Sequence, residues 1–203
     1  MNKNILTIIF CVLAYPCIAH SNDTIKTKHG VTSSIGIKVG ENFEKMTGNF
    51  WKNKYTGSLC IGGIFEAVSG QLGLQVEVAY KMIKYSIKTP YGNSYVRSEY
   101  CDFPILVEYK LNNTLLLQAG CMISGLIFAK YNSVSGDKTN YKQHFNQLNI
   151  APCAGMEIRM TPSFAGGVRY YYGITNNNKE SVTKLSEQWN TRTLQLYLCY
   201  KFR

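Results

Sequence analysis

Leu72-Gly73-Leu74-Gln75-Val76-Glu77-Val78-Ala79-Tyr80-Lys81-Met82 separates into two rows when every second residue is taken. One row is Leu72, Leu74, Val76, Val78, Tyr80 and Met82, and the other is Gly73, Gln75, Glu77, Ala79 and Lys81. Successive side chains of a β-strand point to opposite faces, so this stretch is a strand with one apolar face and one face of small, amide and charged groups. A soluble barrel hides its apolar face inside. Here the opposite face carries both signs of charge, which suits a polar interior and a lipid-facing exterior.

Seven further stretches repeat the pattern, so that strands are expected at about 31–42, 56–68, 71–85, 95–111, 114–130, 145–160, 163–175 and 191–202. Their connections alternate in length. Ser69-Gly70, Asn112-Asn113 and Thr161-Pro162 supply tight turns, since Gly, Asn and Pro adopt the backbone angles that turns require. Between them lie long polar connections at 44–55, 86–94, 131–144 and 176–190. Short turns on one rim and long loops on the other are the arrangement of a bacterial outer-membrane barrel. The fold expected is an all-β, eight-stranded antiparallel up-and-down transmembrane β-barrel over 31–203, with both chain ends on the short-turn, periplasmic side.

The outward phase includes Ile35, Ile37 and Val39, then Leu59 and Ile61, Cys101, Phe103 and Ile105, and Leu194, Leu196 and Leu198. None of these is charged, and a charge-free outer wall is the expectation, because a Lys or Arg there costs ~2–4 kcal/mol at the bilayer midplane. Phe65, Tyr109, Phe164, Tyr200 and Phe202 fall near the short turns and are expected to form a periplasmic aromatic girdle. The inward phase carries Lys38, Glu66, Glu77, Lys81, Asp102, Glu108, Lys110, Glu157, Arg159, Arg169 and Lys201. Eight strands enclose only enough room for their own side chains. These groups are therefore expected to pair across the lumen as a structural charge network that leaves no open channel.

Residues 1–19 begin with Lys3, pass through the apolar run Ile5 to Ala14 and end in Cys17-Ile18-Ala19, the form of a cleaved secretory signal peptide. The mature chain is expected to start at His20, with 20–30 as a periplasmic N-terminal segment. Loss of Lys3, the one charged residue of that segment, lowers the formal charge from +10 to +9. The surplus is scattered, without a Lys/Arg run, and an exported chain does not meet nucleic acid routinely. Anionic lipid head groups or polysaccharide are the expected partners. Five cysteines follow the signal, Cys60, Cys101, Cys121, Cys153 and Cys199, at ordinary strand positions and without metal-site spacing. They read as small hydrophobes. No metal, cofactor or catalytic residue is expected.

Tyr100-Cys101-Asp102-Phe103-Pro104-Ile105-Leu106-Val107-Glu108-Tyr109 resembles the fourth strand of the PorT-like outer-membrane β-barrel family common in Bacteroidota. Gln118-Ala119-Gly120 with Ser124-Gly125-Leu126 is similar to its fifth strand, 149–157 to its sixth, Phe164 through Arg169-Tyr170 to Asn176 to its seventh, and Leu194 to Phe202 to its closing strand. Cys101, Cys153 and the terminal Arg203 depart from the usual pattern. The resemblance spans about 30–202 and implies a fold and a location in the outer membrane, with insertion by the barrel-assembly machinery. It implies no activity and no secretion role.

Two functions follow from different classes. One is a monomeric, non-porin membrane scaffold or adhesin whose loops bind surface glycan, lipopolysaccharide or protein. Tyr55, Tyr91, Tyr131 and Tyr141 stand there among Lys52, Lys54, Lys88, Lys138, Lys142, Lys179 and Lys184. The other is a lipid A deacylase or acyltransferase with a rim site at His144 and Ser133, Ser135 and Asp137 in the preceding loop. Trp51 and Trp189 are expected in loops near the outer interface.

Overall fold

A computed structural model describes residues 30–52, 54–87, 94–132 and 138–202; the expected signal and periplasmic segment, apart from Gly30, lie outside them. The strands are β1 (Val31–Met46), β2 (Thr56–Ser69), β3 (Leu72–Ile87), β4 (Ser94–Lys110), β5 (Leu115–Asn132), the short β6 (Lys138–Asn140), β7 (Leu148–Arg159), β8 (Phe164–Tyr172) and β9 (Thr191–Phe202). A 3-10 turn spans Lys142–His144 and a single helical turn, α1, spans Glu180–Thr183. All pairings are antiparallel. Each long strand bonds its sequence neighbours, β4 to β5 and β5 to β7, and β9 returns to β1, so eight long strands close a ring. β6 is a flap on the upper end of β5.

The register fixes the tilt of the strands. Stepping from Ser33 through Ala67, Leu74, Val107, Ala119, Ala154, Tyr170 and Leu194 returns to β1 at Phe43, ten residues farther along. Eight strands with that stagger must lean steeply to the barrel axis, in the range of about 35–45°. Turn chemistry holds the short rim. Gly70 takes a positive φ of 62° between β2 and β3, which only glycine adopts without penalty. Asn112 Oδ1 accepts from the amides of Thr114 and Leu115, both at 2.8 Å, and Thr161 Oγ1 from that of Phe164 at 2.9 Å.

Burial alternates with the pleat. Along β9, Thr191, Thr193, Gln195, Tyr197, Cys199 and Lys201 are buried while Leu194, Leu196, Leu198, Tyr200 and Phe202 are exposed. The exposed set continues round the barrel as a belt of aliphatic and aromatic side chains, an outer surface that only hydrocarbon suits. Phe65, Tyr109, Phe164, Tyr200 and Phe202 all lie on this exterior toward the short turns, with Tyr200 and Phe202 edge to face at 5.3 Å.

Two expectations are corrected. The outer wall is not charge-free: Glu41, Lys45, Lys84, Arg97, Glu99, Lys130 and Arg192 share the outward phase, six of them at the long-loop ends of their strands and Glu41 deeper. And β1 runs four residues past Asn42, so Glu44 is not a loop residue. It points into the lumen, 1% exposed.

Candidate functional site

The lumen is filled in three polar tiers beneath an apolar cap. Nearest the short turns, Lys201 Nζ sits 2.9 Å from Glu66 Oε1 and 2.8 Å from Glu157 Oε1, and Arg159 Nη2 sits 2.5 Å from Glu66. Ser34 Oγ donates to Glu66 at 3.0 Å, and Gln118 Nε2 donates to Glu108 Oε1 at 2.7 Å. Glu66, Glu108 and Glu157 each place a carboxylate oxygen within 4.8 Å of the others. Three carboxylates so close are the donor set of a hard cation. Two cations already stand there: Lys201 bridges two of the three, so a metal ion would have to displace it.

In the middle tier Glu77 joins two bases. Arg169 Nη1 donates to Glu77 Oε1 at 2.5 Å, Lys38 pairs with the other oxygen, and Gln75 Nε2 donates at 2.6 Å. Arg169 is held further by Gln118 Oε1 at 2.7 Å and the Tyr197 hydroxyl at 3.0 Å, with its guanidinium 4.3 Å over the Tyr197 ring. Lys38 also reaches Gln195 Oε1 at 3.2 Å. Above them Lys81 lies 2.9 Å from Glu44 and 3.2 Å from Asp102, and the Tyr85 hydroxyl donates to Glu44. Every charge in these tiers has an ion-pair partner except Glu108, which accepts a hydrogen bond from the Gln118 amide. Buried ions that each keep a partner avoid the several kcal/mol cost of an isolated one. Glu44 is the member that alternation did not single out, because Glu44 and Lys45 put a charge on both phases at the end of β1.

The cap closes the long-loop mouth. Trp51 and Trp189 are 1% and 0% exposed, 5.1 Å apart and nearly perpendicular, with Phe50 stacked on Trp189 at 5.5 Å and Phe145 at 6.0 and 5.6 Å from the two indoles. Met46, Ile83, Ile87, Val96 and Leu126 belong to the same cluster. The expectation of Trp51 and Trp189 as residues at the outer interface is therefore corrected: they face one another over the lumen. Glu187 ties the cap together, accepting from Trp189 Nε1 at 2.7 Å and from the amides of Asn49 and Phe50. Asn178 Nδ2 holds the carbonyls of Leu185 and Glu187, and Asn177 Nδ2 that of Trp189. The first and last long loops are thus braced on one shared core.

Outside the cap the rim is basic. Lys52, Lys54, Lys179 and Lys184 are exposed, and so is Tyr55. Lys142 Nζ is turned back to the Ile127 carbonyl at 2.9 Å, and Tyr131 and Tyr141 pack against the cap. Burial raises the Tyr141 hydroxyl above its ordinary pKa, so it stays protonated. Lys88, Tyr91, Ser133, Ser135, Asp137 and the Lys138 side chain lie outside the described residues. His144 stacks on Tyr141 at 4.0 Å, and its Nδ1 is buried with no hydrogen-bond partner among the described residues. A catalytic imidazole needs a group that orients it, and the described surroundings of His144 supply none. The five described cysteines are free thiols; Cys60, Cys153 and Cys199 are buried on the lumen phase.

The family model described as an outer membrane protein beta-barrel domain matches residues 25–179. No curated protein matches the chain. Among solved structures, it is similar to Neisserial surface protein A, at 14% identity over 84% of this chain and 99% of that one, with a TM-score of 0.54. Ail, the attachment invasion locus protein of Yersinia pestis, is similar at 14% identity over the same shares, with a TM-score of 0.51. A second structure of Ail, in complex with the heparin analogue sucrose octasulfate, gives 0.50.

Proposed function

The chain belongs to the outer membrane protein beta-barrel domain family, and from that premise we propose that it is a non-porin surface protein whose long loops bind acidic glycans or phosphorylated lipopolysaccharide. The carrying observation is the lumen, whose cross-section is occupied by interlocked ion pairs from Glu66 up to Glu44 and then by the Trp51–Trp189 cap. A barrel so filled has no route for a solute, which leaves the loops as the working surface. Bracing two of them on a common apolar core reduces the ordering entropy that a binding surface must otherwise lose. Exposed lysines beside Tyr55 and Leu185 then offer charge and contact area together. Ail, of the same fold, is described in complex with a sulfated sugar, and the analogy supports an anionic ligand here.

The same reading includes cleavage of a signal peptide over 1–19, a periplasmic segment at 20–30, delivery by the barrel-assembly machinery and a monomeric state. The likeness of Pro104 and of Arg169 through Asn176 to the PorT-like barrels of Bacteroidota supports a place in that branch of the family. Two measurements test the function. Planar bilayers containing the refolded chain are expected to stay electrically silent; stable single-channel conductance overturns the closed lumen. A heparin-type sulfated oligosaccharide is expected to bind in low salt and to release as ionic strength rises, with weaker binding in a K54Q/K179Q/K184Q variant. Equal binding by that variant overturns the loop assignment.

A further inference from the structure

Beneath the cap, one row of the inner wall is polar between two rows that are not. Asp102 on β4, Ser124 on β5 and Asn149 on β7 are successive cross-strand neighbours, 5%, 2% and 5% exposed. The inward row below them holds Pro104, Met122 and Ala151, and the row above holds Tyr100 and Leu126 of the apolar cap cluster. Each of the three polar side chains keeps one buried oxygen without a hydrogen-bond partner among the described residues: Asp102 Oδ1, Ser124 Oγ and Asn149 Oδ1. A buried polar atom left unmatched costs about 1–3 kcal/mol. Three in one row point to a shared ligand.

The outer two side chains are held at their far ends. Asp102 Oδ2 pairs with Lys81 of β3 at 3.2 Å, and Asn149 Nδ2 donates to Thr191 of β9 at 3.0 Å. Both bonds lead away from β5, so the free oxygen of each side chain is the one on the Ser124 side. Strands stand ~4.8 Å apart, which sets Asp102 and Asn149 across about 9.6 Å of sheet with Ser124 midway. Side chains leaning over it from both flanks leave room for one ion about 2.4 Å from each oxygen.

Charge decides what belongs there. Glu44 and Asp102 share a single base, Lys81, since the other partner of Glu44 is the neutral Tyr85 hydroxyl. The upper tier is thus one negative charge in excess. The middle tier has the opposite surplus, Lys38 and Arg169 against Glu77, but its hydrogen bonds lead downward: Gln118 and Tyr197 join Arg169 to Glu108 and Glu157. Across the three tiers six acids face five bases, and the uncancelled acid is in the upper tier. Carboxylate, hydroxyl and amide oxygens together are the donors of a hard cation. A monovalent ion closes the count, whereas a divalent one overshoots it where little water is present to help. A water molecule would bridge the oxygens and leave the charge uncancelled.

We propose that Asp102, Ser124 and Asn149 hold one alkali-metal cation, stripped of most of its water, as a floor beneath the aromatic cap. The site rests on the lumen alone and is independent of what the loops bind.

The test is reversible urea unfolding of the refolded chain in vesicles of zwitterionic phospholipid, with sodium, potassium, calcium or bulky N-methylglucammonium as the cation at constant ionic strength. Sodium or potassium is expected to lower the unfolding constant tenfold for each tenfold rise in concentration beyond half-saturation, as one bound ion requires. D102N removes the charge and is expected to make the response flat. S124A keeps the charge, loses one oxygen and is expected to raise the half-saturating concentration about tenfold or more. In crystals of the parent chain, thallium(I), an alkali-ion mimic, is expected to give an anomalous-scattering peak in contact with all three residues, a readout that needs no variant to fold. A flat response in the parent means that water satisfies the row and overturns the proposal. An equal slope in D102N, a response to calcium alone, or a thallium peak at Glu66, Glu108 and Glu157 instead would each do the same.

Discussion

Replacing Glu77 by Gln is expected to be among the most destabilising single changes in the lumen. The Glu77 side chain is 0% exposed and its two oxygens hold Lys38, Arg169 and Gln75. The amide keeps the shape and one acceptor but removes the one negative charge between two buried cations. Removing a single partner from a buried ion pair costs about 3–5 kcal/mol, because the ion left behind is desolvated without compensation. Here two ions are stranded. Arg169 retains Gln118 Oε1 and the Tyr197 hydroxyl, and Lys38 retains Gln195 Oε1; such hydrogen bonds to charged groups contribute about 1.5–3 kcal/mol each. They moderate the loss and keep E77Q near about 3–5 kcal/mol. The triple change K38M/E77M/R169M removes all three charges at similar volume, and by the same reasoning is expected to fall within about 1 kcal/mol of the parent or above it. The assay is reversible urea unfolding in lipid vesicles, followed by tryptophan fluorescence. If E77Q unfolds within about 0.5 kcal/mol of the parent, or the triple variant is no better than the single one, the tiers are solvated and the sealed-lumen argument fails.

On the outer wall, Leu196→Arg puts a cation on the lipid-facing row midway up β9, and a loss of about 2–4 kcal/mol in the same unfolding assay is expected; an unchanged midpoint would mean that this face meets water. In the cap, Trp51→Ala leaves a cavity against Trp189, Phe50 and Phe145 and is expected to cost about 3–5 kcal/mol. Acrylamide should then quench Trp189 fluorescence, which it barely reaches in the parent chain, and equal quenching in both would place the indoles outside the mouth.

Alternation made most of the barrel legible because the strand period is two and a one-residue error exchanges the faces. β9 was readable to the residue: from Thr193 to Phe202 the buried Thr193, Gln195, Tyr197, Cys199 and Lys201 alternate with the exposed Leu194, Leu196, Leu198, Tyr200 and Phe202. β1 was not. After Val39 its outward row continues to Glu41 and Lys45 while the inward row holds Asn42 and Glu44, so polarity stops distinguishing the faces four residues before the strand ends. The lost residues matter for the lumen, since Glu44 anchors its upper tier. The cap was hidden for another reason. Trp51 and Trp189 come from loops at opposite ends of the sequence, and only closure of β9 on β1 brings Thr47 to Asn190 and so one indole to the other. No periodicity within either loop encodes a contact between them.

The placement of polarity in this chain follows from what each compartment can solvate. Inside, a narrow lumen cannot hydrate six acids, so each is set against a base or an amide, and the glycines on the inward phase leave room for long side chains to meet. A Cβ on Gly155 would collide with Arg169, and one on Gly167 with the Tyr197 hydroxyl. Outside, a charge facing hydrocarbon is costly, and the outward cations among the described residues stand at the long-loop ends of their strands, with Glu41 the charge set deeper. Among the described residues Arg192 and Lys45 have no acidic partner, whereas Arg97, farther round the same rim, has Glu99 at 2.8 Å.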